Sequence, residues 1–142
     1  MLRNVRSKMA MTGAAALAMA GAFSAPAVAQ DNPDAAEIAA IVAGRSDCPR
    51  LYACLWEHKN FSGKRWQGKD NNRTLPSSID NEASSSFNNG IRCTAHFATL
   101  PGYGGQILAE GLGSYRQNLA LDPRPGGGNW NDIISSMYWC SK

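Results

Sequence analysis

Two stretches of this chain repeat one order of oxygen-bearing side chains: Asp80-Asn81-Glu82-Ala83-Ser84-Ser85 and Asn131-Asp132-Ile133-Ile134-Ser135-Ser136. Each runs acid or amide twice, two unrestricted residues, then two serines. A hard cation such as calcium takes about six to eight oxygen ligands from carboxylates, amides, hydroxyls and backbone carbonyls. Asp80, Asn81, Glu82 and Ser84 offer side-chain oxygens in the first stretch, and Asn131, Asp132 and Ser135 in the second, where Ile133 has only its carbonyl. A hexapeptide is too short to surround an ion, so another loop or water must complete each shell. The modest charge suits affinities in the sensor-to-extracellular range. The same residue types also form turns and start strands, but their duplication argues for two similar half-domains, each with an oxygen-rich corner.

Other chemistries have less support. The sequence holds no His-Glu-x-x-His, no Gly-x-Ser-x-Gly and no phosphate-binding loop. His58 and His96 have no acidic residue at a motif spacing and read as ordinary surface or core residues. Trp56, Trp66, Trp130 and Trp139 read as filling for a small β core before they read as a sugar platform. Asn60-Phe61-Ser62 and Asn72-Arg73-Thr74 are glycosylation sequons and no more than acceptors in principle. The expectation is a binding protein and not an enzyme.

The chain opens with Arg3, Arg6 and Lys8, then an Ala-rich apolar run over residues 9–23 and the small-x-small pattern Ala27-Val28-Ala29. Residues 1–29 therefore read as a secretory signal peptide, too short and too Ala-rich to span a membrane. Cleavage would leave Gln30 first and a secreted protein with no membrane attachment. Removing those three bases from the 14 Lys and Arg leaves as many bases as the 11 Asp and Glu, so the formal charge of +3 belongs to the leader. A neutral mature chain gives no reason to expect nucleic acid as a partner. Cys48, Cys54, Cys93 and Cys140 all follow the leader. An even count in a small exported domain reads as two disulfides, with three pairings open. Zinc is disfavoured by the cysteine spacing and the shortage of histidine.

Residues 30–47 lack aromatics and form either a spacer or a short helix from about residue 35 to 43, with Asp34 and Glu37 as a capping box and Gly44 as a stop. From Cys48 onward the texture is all-β. Strands are expected over residues 51–56, 64–67, 84–87, 91–97, 106–109 and 133–140, punctuated by Asn88-Asn89-Gly90, Pro101-Gly102 and the Pro/Gly loop of residues 122–128. Tyr103-Gly104-Gly105 follows Phe61-Ser62-Gly63 by 42 positions, and the hexapeptides lie 51 apart. The Pro/Gly loop accounts for the difference. Two four-stranded units with long return connections are what Greek keys look like in sequence.

Trp56-x4-Phe61-x-Gly63 resembles the hairpin signature of βγ-crystallin Greek keys, and the hexapeptides resemble the calcium motif of microbial βγ-crystallins. Cys48-Pro49, Cys54-Leu55-Trp56-Glu57 and Asn60-Phe61-Ser62-Gly63 resemble the secreted bacterial peptidase inhibitor family I36, which has that fold. The resemblance implies an all-β, βγ-crystallin-like sandwich of two Greek-key motifs over residues 48–142, one about 48–90 and the other about 91–142. It implies one or two calcium ions, with Ser84 and Ser135 binding through their hydroxyls, Glu82 and Ile133 through carbonyls, the Glu82 carboxylate as a further donor, and Glu57 and Thr99 lending carbonyls from the hairpins. The pattern departs at Ala98, where an aromatic is expected, so the Thr99 site is the weaker one. Neighbouring first and last strands in such a key imply Cys93–Cys140, which leaves Cys48–Cys54. The implied activity is inhibition of a secreted peptidase by a monomer. A calcium-stabilised structural or surface module without inhibitory activity is the alternative, and a killer-toxin-like antimicrobial a more distant one. An inhibitor needs a stiff exposed loop; the candidates are residues 48–54, tied at both ends, and 122–130, stiffened by Pro123 and Pro125 but loosened by three glycines, and neither carries a reactive-site motif.

Overall fold

The computed structural model describes residues 34–141. The leader expected over residues 1–29 lies outside them. Helix α1, Ala35–Ser46, starts where Asp34 accepts the Glu37 backbone N–H at 2.8 Å. It continues through Gly44, which the sequence reads as a stop. Glycine is needed there for another reason: a Cβ would strike the Phe61 carbonyl, so the residue lets the helix lie directly on a hairpin.

The strands are β1 Ala53–His58, β2 Ser62–Gly68, β3 Ser85–Asn88, β4 Ala95–Leu100, β5 Gly104–Glu110, β6 Tyr115–Arg116 and β7 Ser136–Trp139. They form two antiparallel sheets, ordered β2-β1-β3-β6 and β5-β4-β7. β6 comes from the second half of the chain yet pairs with β3 of the first. In return, Asn72 of the first half bridges Met137 on β7, with N–H···O distances of 2.7 and 2.9 Å in the two directions. Each half thus gives its third segment to the other's sheet, which makes the pair two interlocked Greek keys.

β1 is buried on both faces, which explains its uninterrupted apolar run. Ala53 and Leu55 point into the core between the sheets, with Phe97, Leu108, Leu119, Trp130, Ile134 and Met137. Cys54 and Trp56 point the other way, joining Cys48 and Phe61 in a second cluster against Ile41 of α1. Trp56 meets Phe61 edge to face at 5.2 Å, and the Arg45 guanidinium of α1 lies 4.3 Å from the Tyr115 ring centre. The helix is therefore a lid over the outer face of the first sheet.

Two expected strands are shorter than their apolar stretches suggest. Residues 91–94 stay outside β4: Asn88 claims the Cys93 carbonyl at 3.1 Å, and the ladder begins at Ala95, opposite Glu110 and Trp139. Residues 133–135 stay outside β7 because their backbone serves the corner described below. The disulfides are Cys48–Cys54 and Cys93–Cys140, as the resemblance implies.

Candidate functional site

The β1–β2 and β4–β5 hairpins fold over in the same way. Asn60, Phe61 and Gly63 have φ of 61, 57 and 78°, and Gly102, Tyr103 and Gly105 have 71, 67 and 73°. Ser85, the last residue of the first hexapeptide, locks the first hairpin. Its buried hydroxyl donates to the His58 carbonyl at 2.8 Å and accepts the Phe61 N–H at 3.2 Å. Ser136 does the same in the second half, with the Leu100 carbonyl at 2.6 Å and the Tyr103 N–H at 3.1 Å. Sequence reasoning assigned these two serines no role beyond starting a strand. Their signal was pairing with the turn residues in both repeats, which only the offsets of 42 and 51 could have revealed.

The hexapeptides, far apart in sequence, face each other. Asn81 and Asp132 both take left-handed conformations, with φ of 57 and 55°. The Asn81 N–H donates to the Ile134 carbonyl and the Asp132 N–H to the Ala83 carbonyl, each at 3.0 Å. Ser84 and Ser135 donate their N–H groups to the carbonyls of Trp56 and Ala98, each at 2.8 Å. That places them beside Glu57 and Thr99, which sit where the register of their hairpins shifts, outside the paired positions of both neighbouring strands. The side chains of Glu57 and Thr99 turn back to their own hairpins, accepting the N–H of Lys64 at 3.2 Å and of Gln106 at 3.0 Å. Both residues lie outside the strand pairing on either side of their strands.

Side chains cross between the hexapeptides. The Ser135 hydroxyl donates to Asn81 Oδ1 at 3.3 Å, and the Ser84 hydroxyl lies against the Asp132 carboxylate. The leading residues steady the second ones: Asn131 Nδ2 donates to Asp132 Oδ2 at 2.6 Å, and Asn81 Nδ2 donates to Asp80 Oδ1 at 3.2 Å. Partial burial and then the nearby Glu82 carboxylate push Asp132 above the usual carboxylate range, while the Ser84 hydroxyl and His58 oppose this. All ten candidate residues thus gather at two adjoining corners. Among the described residues no three His, Cys, Asp or Glu side chains converge as a metal-holding group. The donor set is one of hydroxyls, amides and carbonyls with few carboxylates, which fits a hard oxygen-seeking cation and not zinc.

The remaining candidates fall elsewhere. Both ends of the 48–54 loop are held: Asn89 accepts the Leu51 N–H at 2.9 Å, donates to the Tyr52 carbonyl at 2.9 Å, and reaches the Cys48 carbonyl through Nδ2 at 2.8 Å. Its tip exposes Arg50 and Leu51, and Leu51 has a φ of 85°, an unusual conformation for a branched residue. The Pro/Gly loop is pinned to β5, where Arg124 donates to Gln106 at 2.9 Å and Gln106 to the Pro125 carbonyl at 2.6 Å. His96 stacks on Tyr138 at 4.6 Å, and burial lowers its pKa. Trp56 and Trp130 are buried, and Trp66 and Trp139 pack against the core, so the tryptophans form no platform.

The sheet order and paired hairpins agree with solved structures. A domain from a study of the evolution of the eye lens βγ-crystallin fold superposes with a TM-score of 0.55 at 23% identity, over 67% of this chain and 91% of that one. The fold is that of the βγ-crystallins. An archaeal βγ-crystallin matches with a TM-score of 0.51 at 21% identity, over 65% of this chain and all of its own, 100%. A βγ-crystallin from Ciona intestinalis matches at 0.51 and 19%, over 63% and 99%. Residues 42–109 match the sequence model of peptidase inhibitor family I36, which takes in the end of α1, the first βγ-crystallin key and most of the β4–β5 hairpin. The matching family is one of inhibitors and not of enzymes. No curated protein sequence matches the chain.

Proposed function

We propose that the protein is an exported βγ-crystallin-type binding protein that inhibits a peptidase and is stabilised by calcium. The observation that carries the inhibitory reading is the family I36 match over residues 42–109. The 48–54 loop adds support. It is exposed at the tip and held at both ends, so little ordering entropy remains to be lost on docking. The mature chain would begin at Gln30 and act as a monomer.

The calcium reading draws on the facing hexapeptides. Ser84, Glu82, Asp132 and the Glu57 carbonyl are the candidate donors at one corner, and Ser135, Asn81 and the carbonyls of Ile133 and Thr99 those at the other. A bound ion would supply positive charge between loops from opposite halves of the chain. Its role would be to hold the fold together, since it would tie loops from opposite halves of the chain.

Titration of the purified protein against a panel of metallopeptidases and serine peptidases tests the first reading. Stoichiometric loss of one enzyme's activity supports it. Full activity of every enzyme at micromolar protein refutes it. One observation favours a calcium-stabilised module without inhibitory activity as second reading: the family match ends at residue 109, before the second hexapeptide, whereas the fold similarity covers about two thirds of the chain. That alternative predicts a calcium-dependent melting temperature and no inhibition.

A further inference from the structure

The two corners are related by the repeat, but their donor sets are not equal. We propose that the chain binds a single calcium ion, at the Ser84 corner, and that the Ser135 corner is a hydrogen-bonded lock that holds none. This rests on the calcium reading above.

The crossing of the hexapeptides carries the inference. In chain order Asp132 belongs to the second hexapeptide and would charge the second corner. In the fold its N–H donates to the Ala83 carbonyl at 3.0 Å, which brings its carboxylate to the neighbouring Ser84 hydroxyl, near Glu82 of the first. Asn81 makes the opposite exchange, its Oδ1 accepting the Ser135 hydroxyl at 3.3 Å. The Ser84 corner thereby gathers two carboxylates, Glu82 and Asp132. The Ser135 corner is left with one amide, one hydroxyl and the carbonyls of Ile133 and Thr99.

The other nearby carboxylates do not restore the balance. Glu57 is turned toward Lys64, its Oε1 3.8 Å from Nζ. Asp80 is engaged by Asn81, whose Nδ2 donates to it at 3.2 Å. Calcium affinity rises with the count of charged ligands, because the protein must replace the ion's hydration. Two carboxylates within electrostatic reach of each other repel until a cation lies between them. A neutral corner has no such need. Ser135 is also only 3% exposed, and all its polar groups are engaged: N–H with Ala98, hydroxyl with Asn81, and carbonyl with the Leu75 N–H at 2.9 Å. Ser84 is half-buried.

The test is calorimetric titration of calcium chloride into the exported chain after chelator treatment. The wild type is expected to take one ion per chain. Asn81→Asp, which puts a carboxylate into the neutral corner, is expected to raise the stoichiometry to two. Asp132→Asn, and independently Ser84→Ala, should each weaken the single event by about tenfold or more, since the shell loses a charge or an oxygen. Melting in chelator reports whether each variant folds, and two variants of the Ser84 corner guard against the loss of one. Two ions of similar affinity in the wild type overturn the inference. So do an Asp132→Asn protein that binds as tightly as wild type and an Asn81→Asp protein that still takes one ion. Absence of any calcium heat in the wild type overturns the calcium reading itself and this inference with it, whereas two equal ions overturn only the inference.

Discussion

Ser84 and Ser85 are neighbours with the same hydroxyl, yet the fold gives them separable tasks, and alanine at each should reveal this. Ser85→Ala removes the acceptor of the buried Phe61 N–H and the donor to the His58 carbonyl. A buried polar group left without a partner costs about 1–3 kcal/mol. Both bonds of a fully buried hydroxyl are lost, so the net loss should be about 2–3 kcal/mol. For a domain of about 100 residues this lowers Tm by roughly 10–20 °C. Ser84→Ala keeps the backbone bond to Trp56 and loses a half-buried hydroxyl with its bond to the partly buried Asp132 carboxylate, so in chelator it should cost about 1 kcal/mol, less than Ser85→Ala. Calcium reverses the ranking of response: it should raise the melting temperature of wild type and Ser85→Ala, and hardly that of Ser84→Ala. The assay is thermal unfolding with disulfides intact, in chelator and in millimolar calcium. Equal losses for the two variants in chelator, or a Ser85→Ala protein as stable as wild type, would refute the division of labour.

Three further outcomes are expected. Millimolar calcium over a site with Kd of ~10 µM should stabilise the wild type by about 2.7 kcal/mol, seen as a rise in Tm that chelator reverses. Removing the Cys93–Cys140 bond by serine at both positions should cost about 4 kcal/mol in chemical denaturation, against about 2.4 for Cys48–Cys54, because the closed loop is far longer. Glu110 is fully buried, and burial raises its pKa, opposed by hydrogen bonds from Ser114 and Ser86 and by Arg116. The folded chain therefore holds that proton to higher pH than the unfolded one. Stability should fall as pH rises from the ordinary carboxylate range through the raised pKa, then level off, and Glu110→Gln should flatten this slope in pH-dependent unfolding. An unchanged slope in the variant would assign it to other groups.

The parts legible in sequence were those in which residue type dictates geometry. Glycine at Gly63 and Gly105 marks a backbone that a side chain would crowd, against His58 in one hairpin and Thr99 in the other, so the repeat could be found by spacing. The hexapeptides were legible because acids, amides and hydroxyls in that order have few uses. What could not be read was pairing between distant elements. Nothing local in Tyr115-Arg116 or Asn72 says that each joins the sheet of the other half. Asp132 and Asn81 likewise look like members of their own hexapeptides, and only the facing loops exchange them. The doubt over residues 30–47 had a physical basis too. The helix has Ile38 and Val42 exposed and none of its residues fully buried, so its apolar pattern is faint.

The interchange of third segments also bears on how this molecule can come apart. A cut in the connection between the keys, near residues 89–94, would leave two fragments, neither holding a complete set of edge partners. Each would lack the piece lodged in its sibling, so neither should persist alone at equilibrium, while a mixture of the two should reassemble. By the same logic, heating should melt the whole at once instead of key by key, and at high concentration the unsatisfied edges of one opened copy would find their mates on another.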